Sequence, residues 1–262
     1  MSSTASAVVV CDFSDRAIAT ISMNRPDKRN ALSLELITRL TEAFADASAE
    51  RHRRAIVLRG EGKSFCAGLD LEEMNQAGNA EKAATALSKL YETMARSPCV
   101  TIAAAHGAAF GGGVGLLAAS DIVVASDDLK IGFPEVKRGL TAALITALLR
   151  RSVTDRQLRE LIVLGLTIDA KQAAALNIVN RVVPADQLAP TIADYCKQVI
   201  AAAPNAVWRS KKLLDQLAIR PAAEDLKLAL DFHFAGKHEG ELKEGIAAFL
   251  EKREPRWGAR DG

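Results

Sequence analysis

The sequence predicts an α/β fold, a strand-rich front followed by an all-helical tail, and three observations carry that expectation. Apolar runs of strand length alternate with segments of helical periodicity through the first 184 residues. Two of those runs end in glycine-rich turns that lead directly into helices. A composition shift at Val183-Pro184, after which only helical patterns remain, divides a core over 1–184 from a helical region over 185–262.

Taken in order, two short strands over 8–13 and 17–23 meet at Ser14-Asp15 as a hairpin, and Asn24-Arg25-Pro26 breaks the pairing. Leu36, Ile37, Leu40, Ala43, Phe44 and Ala47 then recur at helical spacing behind Ser33, a residue suited to an N-cap. That helix leads to a strand over 55–59, and strand, helix, strand implies a parallel crossover. A helix over 78–96 and buried strands over 99–104, 122–125 and 178–183 follow. Helices over 144–151, 155–164, 169–176, 185–202, 205–216, 222–235 and 239–252 complete the chain. The last two carry apolar stripes (Leu226, Leu230, Phe234; Leu242, Ile246, Phe249, Leu250) that point to contacts between copies of the chain.

Composition excludes several classes of function. The chain has 262 residues, 49% of them hydrophobic and 25% charged, values of an ordinary globular protein with a sizeable core. Its formal net charge of +2 gives no electrostatic case for nucleic acid or an anionic membrane as principal partner. Cys11, Cys66, Cys99 and Cys196 are scattered, with no C-x-x-C pair and no secretory framework. His52, His106, His233 and His238 show no metal-ligand spacing with them, so no metal is expected. The first residues lack the basic and apolar regions of a signal peptide, and no apolar run is long enough to span a bilayer; a cytoplasmic location is the expectation.

The chemistry concentrates around Ala104-Ala105-His106-Gly107-Ala108-Ala109-Phe110-Gly111-Gly112-Gly113-Val114-Gly115. Glycines at the start of a helix bare N–H groups that suit an anion, whether a phosphate or a developing oxyanion. Two readings compete. Gly113 to Ala118 satisfies the dinucleotide pattern, with Asp127 or Asp128 where a ribose-binding acid would fall, and this supports a nicotinamide-dependent oxidoreductase. The other reading is an oxyanion hole, whose second donor is suggested by a similar strand, turn and helix at Leu58-Arg59-Gly60-Glu61-Gly62-Lys63-Ser64-Phe65-Cys66-Ala67-Gly68-Leu69-Asp70-Leu71.

With Asn24-Arg25-Pro26-Asp27-Lys28-Arg29-Asn30-Ala31-Leu32 before these segments and Phe133-Pro134-Glu135 after them, the order of motifs resembles the enoyl-CoA hydratase/isomerase (crotonase) family over nearly the whole chain. The resemblance implies a spiral core of ββα units with a helical C-terminal trimerisation region. It implies an acyl-CoA substrate that brings coenzyme A with it, no separate cofactor, and homotrimers or homohexamers. It assigns the oxyanion-hole donors to Leu69 and Gly112 and the acid/base to Glu135, whose basicity an apolar pocket of Phe110, Phe133 and Leu140 would raise.

The resemblance further implies that Lys28 and Arg29 approach the phosphates, that the Cys66 and Ala67 backbone contacts the adenine, and that Phe249 and Lys252 reach the CoA of a neighbouring subunit. His106 reads as structural and Asp70 as a capping or pairing residue. The chain departs from the hydratase pattern at one place. Hydratases carry a first glutamate two residues after the glycine triplet and a second twenty residues later; here those positions are Gly115 and Glu135. Adding water is helped by two acid–base groups, whereas shifting a double bond needs one. Hydration and isomerisation both stay open, beside the oxidoreductase and a non-catalytic protein of the same fold.

Overall fold

The computed structural model describes residues 7–74, 79–138 and 140–217 and the single positions 244, 251, 253 and 256. The expected helices over 222–235 and 239–252, with their apolar stripes, lie outside the described residues.

The chain starts with the expected hairpin, β1 (Val9–Asp12) paired antiparallel with β2 (Ile18–Met23). Asp12 and Asp15 accept the turn's backbone N–H groups of Ser14, Ala17 and Ile18, which fixes the register of the pair. From β2 the chain enters α1 (Leu34–Ala49), capped by Ser33, whose side chain accepts the Leu36 N–H at 3.1 Å. All six apolar positions expected on its inner face are buried. β3 (Ala55–Gly60) then returns parallel to β2.

The short helix α2 (Leu71–Met74) and the long α3 (Asn79–Ala95) lead to β4 (Val100–Ala105), parallel to β3. A three-residue strand β5 (Ala108–Phe110) and the helix α4 (Gly112–Ala118) come next, followed by β6 (Ile122–Ser126) beside β4. β7 (Lys130–Gly132), α5 (Ala143–Leu149), α6 (Asp155–Val163), β8 (Thr167–Asp169) and α7 (Ala170–Ala175) follow. β9 (Arg181–Val183) closes the sheet, and α8 (Leu188–Ala201) and α9 (Pro204–Leu217) end the continuous description.

Six strands form the main sheet in the order β1-β2-β3-β4-β6-β9, parallel from β2 onward, while β5, β7 and β8 form a second, small sheet. Strand alternation sorts the core onto two faces of the main sheet. Ile56 and Leu58 of β3 belong to the larger cluster with α1, α3 and α4; Ala55 and Val57 face the smaller one, which Ile192 and Cys196 of α8 cover. Burial on both faces explains why β3 and β4 read as largely apolar runs without alternation.

Three expectations are corrected. The small sheet was not anticipated, because three-residue strands holding Lys130, Gly132 or Asp169 give no period-2 signal. The strand expected over 178–183 shrinks to Arg181–Val183, since Ile178 is taken into the turn after α7, its N–H bonded to the Ala173 carbonyl. The 3-10 turn Glu135–Arg138 likewise has no counterpart among the expected elements, being too short to show a period.

One polar side chain ties the early loops together. Asn30 is fully buried with a positive φ of 54°, a region Asn tolerates better than most residues. Its amide accepts the Arg25 N–H (2.9 Å) and donates to the Glu61 and Ser64 carbonyls (2.9 and 2.8 Å). Asn30→Ala strands those backbone groups and strains the backbone, and is expected to lower unfolding free energy by on the order of 3 kcal/mol in urea titration.

Candidate active site

The site grows from two glycine turns at the ends of parallel strands. After β3 the chain passes Phe65 and Cys66, and Cys66 makes a bridge with Ala109 of β5: the Cys66 N–H donates to the Ala108 carbonyl (3.0 Å) and the Phe110 N–H to the Cys66 carbonyl (2.9 Å). This brings Gly68 against the start of α4. A Cβ at Gly68 would stand 2.7 Å from the Phe110 carbonyl oxygen and 3.6 Å from the Gly112 nitrogen, so no side chain fits. Gly68 (φ 92°) and Gly111 (φ 50°) also hold conformations that favour glycine.

Two backbone donors result. Leu69 pairs in parallel with Leu32, and the pairing uses the Gly68 carbonyl and the Asp70 N–H, leaving the Leu69 N–H on the opposite side. Gly112 is the first residue of α4, and the N–H there has no intrahelical acceptor. Among the described residues neither N–H donates to a protein acceptor.

Glu135 meets the same turn from the side of β7. A Cβ at Gly111 would lie 2.9 Å from Glu135 Oε1, which sets the carboxylate against the glycine turn. Glu135 Oε2 is buried and has no hydrogen-bond partner among the described residues. Burial pushes the carboxyl pKa above its ordinary 4.5, and the residue's own N–H and Arg138 oppose that only in part. The expected apolar pocket is only partly formed: Phe133 is buried, but Leu140 is 48% exposed.

The opposite side of α4 holds a residue that sequence patterns did not mark. The Tyr91 hydroxyl of α3 donates to the Gly112 carbonyl at 2.7 Å, and a Cβ at Gly115 would lie 2.2 Å from that hydroxyl. Its only sequence signal was a place on the inner face of α3, one turn from Leu87, which any core residue shares.

The remaining expected residues fall around these turns. Lys28 and Arg29 are exposed in a 3-10 turn and its cap, Pro26–Lys28 with Arg29, and Lys28 pairs with Glu72 at 2.8 Å. The Arg29 carbonyl accepts the Ala67 N–H (3.0 Å), which joins this basic turn to Cys66-Ala67. Cys66 is wholly buried and its thiol is pushed up to about 12 by desolvation, so it is an inert packing group. Asp70 pairs with Arg25 at 3.0 Å, and a ring nitrogen of His106 meets the Gly62 carbonyl at 3.0 Å; both are structural, as expected. Phe249 and Lys252 lie outside the described residues.

The dinucleotide match dissolves in this geometry. A Cβ at Gly113 would sit 2.5 Å from the Cys66 carbonyl, and Gly115 abuts Tyr91, so these glycines serve packing instead of an open cleft. Asp128 is taken up by the Gly107 N–H and the Ser126 hydroxyl. Among the described residues no cluster of three or more His, Cys, Asp or Glu could hold a metal, and no helix is long and apolar enough to cross a membrane.

Comparison with known proteins agrees in fold and in family. The sequence model of the family described as enoyl-CoA hydratase/isomerase matches residues 14–260. A Thermus thermophilus protein named as a candidate enoyl-CoA hydratase is 36% identical over 245 residues, 92% of this chain and 97% of that one. The mevalonyl-coenzyme A hydratase sidH of Aspergillus fumigatus is 34% identical over 248 residues, covering 92% and 91%. The crystal structure of an enoyl-CoA hydratase from Mycobacterium smegmatis superposes with a TM-score of 0.91 at 31% identity, over 95% of this chain and 98% of that one.

The raised pKa of Glu135 has a consequence for stability. A carboxyl whose folded pKa exceeds its unfolded 4.5 contributes fully below that value and loses its contribution as pH rises through the folded pKa. Glu135→Gln is therefore expected to melt with the wild type below about pH 4.5 and at a higher temperature at pH 7 to 8, read by calorimetry across pH.

Proposed function

The chain belongs to the enoyl-CoA hydratase/isomerase family of enzymes, and from that premise we propose that it moves the carbon–carbon double bond of an enoyl-CoA through a thioester enolate. The observation that carries the proposal is the Glu135 carboxylate, set against Gly111 with one oxygen buried and unpartnered, beside the free N–H groups of Leu69 and Gly112.

In this reading the two N–H groups hold the thioester oxygen. Glu135 takes a proton from the α-carbon, the electron pair passes through the thioester to the oxygen as an enolate, and the double bond shifts as the same carboxyl returns the proton to the γ-carbon. Charge develops on the oxygen during the first step, and each fixed backbone donor is worth about 2.7–4 kcal/mol of barrier. A base with raised pKa suits the task, because a stronger base removes a carbon-bound proton more readily. Hydration is the second reading. It fits the family and the hydratase named among the relatives, and it would require Glu135 to manage both the water and the carbon-bound proton without a carboxylate at position 115.

The substrate's coenzyme A supplies the handle, and no separate cofactor is needed. Lys28 and Arg29 would meet its phosphates and the Cys66-Ala67 backbone its adenine; the bond from Ala67 to Arg29 supports one continuous edge for both. By the family pattern Phe249 and Lys252 would complete the binding of CoA in a neighbouring subunit of a homotrimer or homohexamer. Exposed Val136, Leu140, Val163 and Leu164 support such an assembly. Four free cysteines support a reducing compartment, which we take to be the cytoplasm.

The test incubates purified protein with a 3-enoyl-CoA and, separately, a 2-enoyl-CoA, following products by mass. Isomerisation conserves mass, and hydration adds one water. Glu135→Gln is expected to lower kcat by about 10²–10⁴-fold, and the acidic limb of the wild-type profile is expected above pH 4.5. Turnover of neither substrate, or full activity in Glu135→Gln, would sink the proposal. Light scattering is expected to give three or six copies of the chain.

A further inference from the structure

α3 brings a phenol to the place where position 115 would carry a side chain. Tyr91 is 3% exposed, and it shares the inner face of α3 with Ala83, Leu87, Leu90 and Met94. A Cβ built on Gly115 would lie 2.2 Å from the Tyr91 hydroxyl oxygen, 2.3 Å from Cζ and 2.9 Å from Cε2. No side chain can enter while that ring is there. A Cβ at Gly112 would stand 3.5 Å from the same hydroxyl oxygen, while Glu135 Oε1 closes on Gly111. The phenol and the carboxylate thus flank successive glycines at the start of α4.

The two groups are not equivalent. The phenol's single proton is engaged by the Gly112 carbonyl at 2.7 Å. Burial, with Cys66 and Glu135 nearby, holds its pKa well above the ordinary 10.0, so it stays neutral and cannot serve as a base.

We propose that Tyr91 determines the reaction specificity of this site: by filling the space beside Gly115 it excludes both a second carboxylate and a water, and so commits Glu135 to moving a proton between two carbons of the acyl chain. The inference rests on the enoyl-CoA reading above and adds to it the residue that decides between its two outcomes. It places the decision in the volume of the ring and not in its hydroxyl, which separates Tyr91→Phe from Tyr91→Ala.

The experiment measures the ratio of hydrated to isomerised product from a 3-enoyl-CoA, together with circular dichroism and CoA-ester binding. The proteins are the wild type, Tyr91→Phe, Tyr91→Ala and the double variant Tyr91→Ala with Gly115→Glu. Tyr91→Phe keeps the ring and is expected to keep the wild-type ratio. Tyr91→Ala admits water, and its ratio is expected to rise several-fold. Adding Gly115→Glu to the opened space is expected to raise the ratio by about 10-fold more, short of the 10²–10⁴ that a well-positioned acid–base group supplies. A folded Tyr91→Ala protein that stays at the wild-type ratio overturns the inference even if the double variant fails to fold. A Tyr91→Phe ratio that rises as far as that of Tyr91→Ala overturns it too, since the hydroxyl would then be the active element. Failure of the wild type on both enoyl-CoA substrates would instead overturn the reading on which the inference stands.

Discussion

The site depends on one backbone-to-backbone contact, the seam between residues 66–69 and 109–113. Two bonds of the Cys66–Ala109 bridge hold it, and its closeness is permitted only by missing side chains: a Cβ at Gly68 would press on the Phe110 carbonyl at 2.7 Å and one at Gly113 on the Cys66 carbonyl at 2.5 Å. Once the seam closes, the Leu69 and Gly112 N–H groups are left at its edge with no protein acceptor among the described residues, and Glu135 has a glycine to lie against. Much of the remaining fold serves to hold these two turns. Asn30 fastens the loop after β2 to the turn after β3, and α1 and α3 pack beneath them. An arrangement made of main-chain donors is insensitive to most side-chain changes and acutely sensitive to any added methyl at the seam.

The parts that were legible in the sequence are those with local physical signatures. The inner face of α1 followed from six apolar positions at helical spacing, and its start from Ser33. β3 and β4 followed from largely apolar runs, interrupted only by Arg59 and Thr101, as expected of parallel strands buried on both faces. The glycine turns announced close approach without saying to what. Illegible were the contacts whose partners lie far apart in the chain: Tyr91 against Gly115, and the small sheet that joins β5, β7 and β8 from three distant segments. Three-residue strands carry too few side chains to show a period, and a tyrosine on a buried helix face looks like any core aromatic. Glu135 was marked by motif resemblance alone, since nothing local in the sequence announces that its carboxylate lies against Gly111 with one oxygen buried.

Electrostatics divide the site into two regions of different character. At the glycines the Glu135 carboxylate loses solvent, and its own N–H and Arg138 offset that loss only in part, so burial raises its pKa and destabilises its charged form. At the 28–29 turn the cations stay in water. The Lys28–Glu72 pair is largely exposed on both sides, and such pairs contribute little to stability, so the lysine can leave its partner at small cost. Arg25–Asp70, at 20% and 11% exposure, is far better shielded and anchors Ala31 and the start of α2 instead. A half-buried carboxylate with a raised pKa thus lies at the glycines, and solvent-exposed cations lie at the 28–29 turn.

The contact between α3 and α4 links packing to chemistry. A Cβ at 115 and the Tyr91 phenol cannot coexist at 2.2 Å in a core packed as densely as a protein interior, so positions 91 and 115 constrain each other directly. A carboxylate at 115 demands a smaller residue at 91, and a tyrosine at 91 demands glycine at 115. The two positions must then change together, and their effects cannot add as those of distant sites do. If the phenol's volume selects the reaction, a switch between adding water and shifting a double bond is a repacking of one helix against another, and the oxyanion donors and Glu135 need not move at all. In that reading a single seam of glycines would serve both reactions: its main-chain donors would hold the charge common to them, and the facing positions 91 and 115 would decide whether a water has room to join.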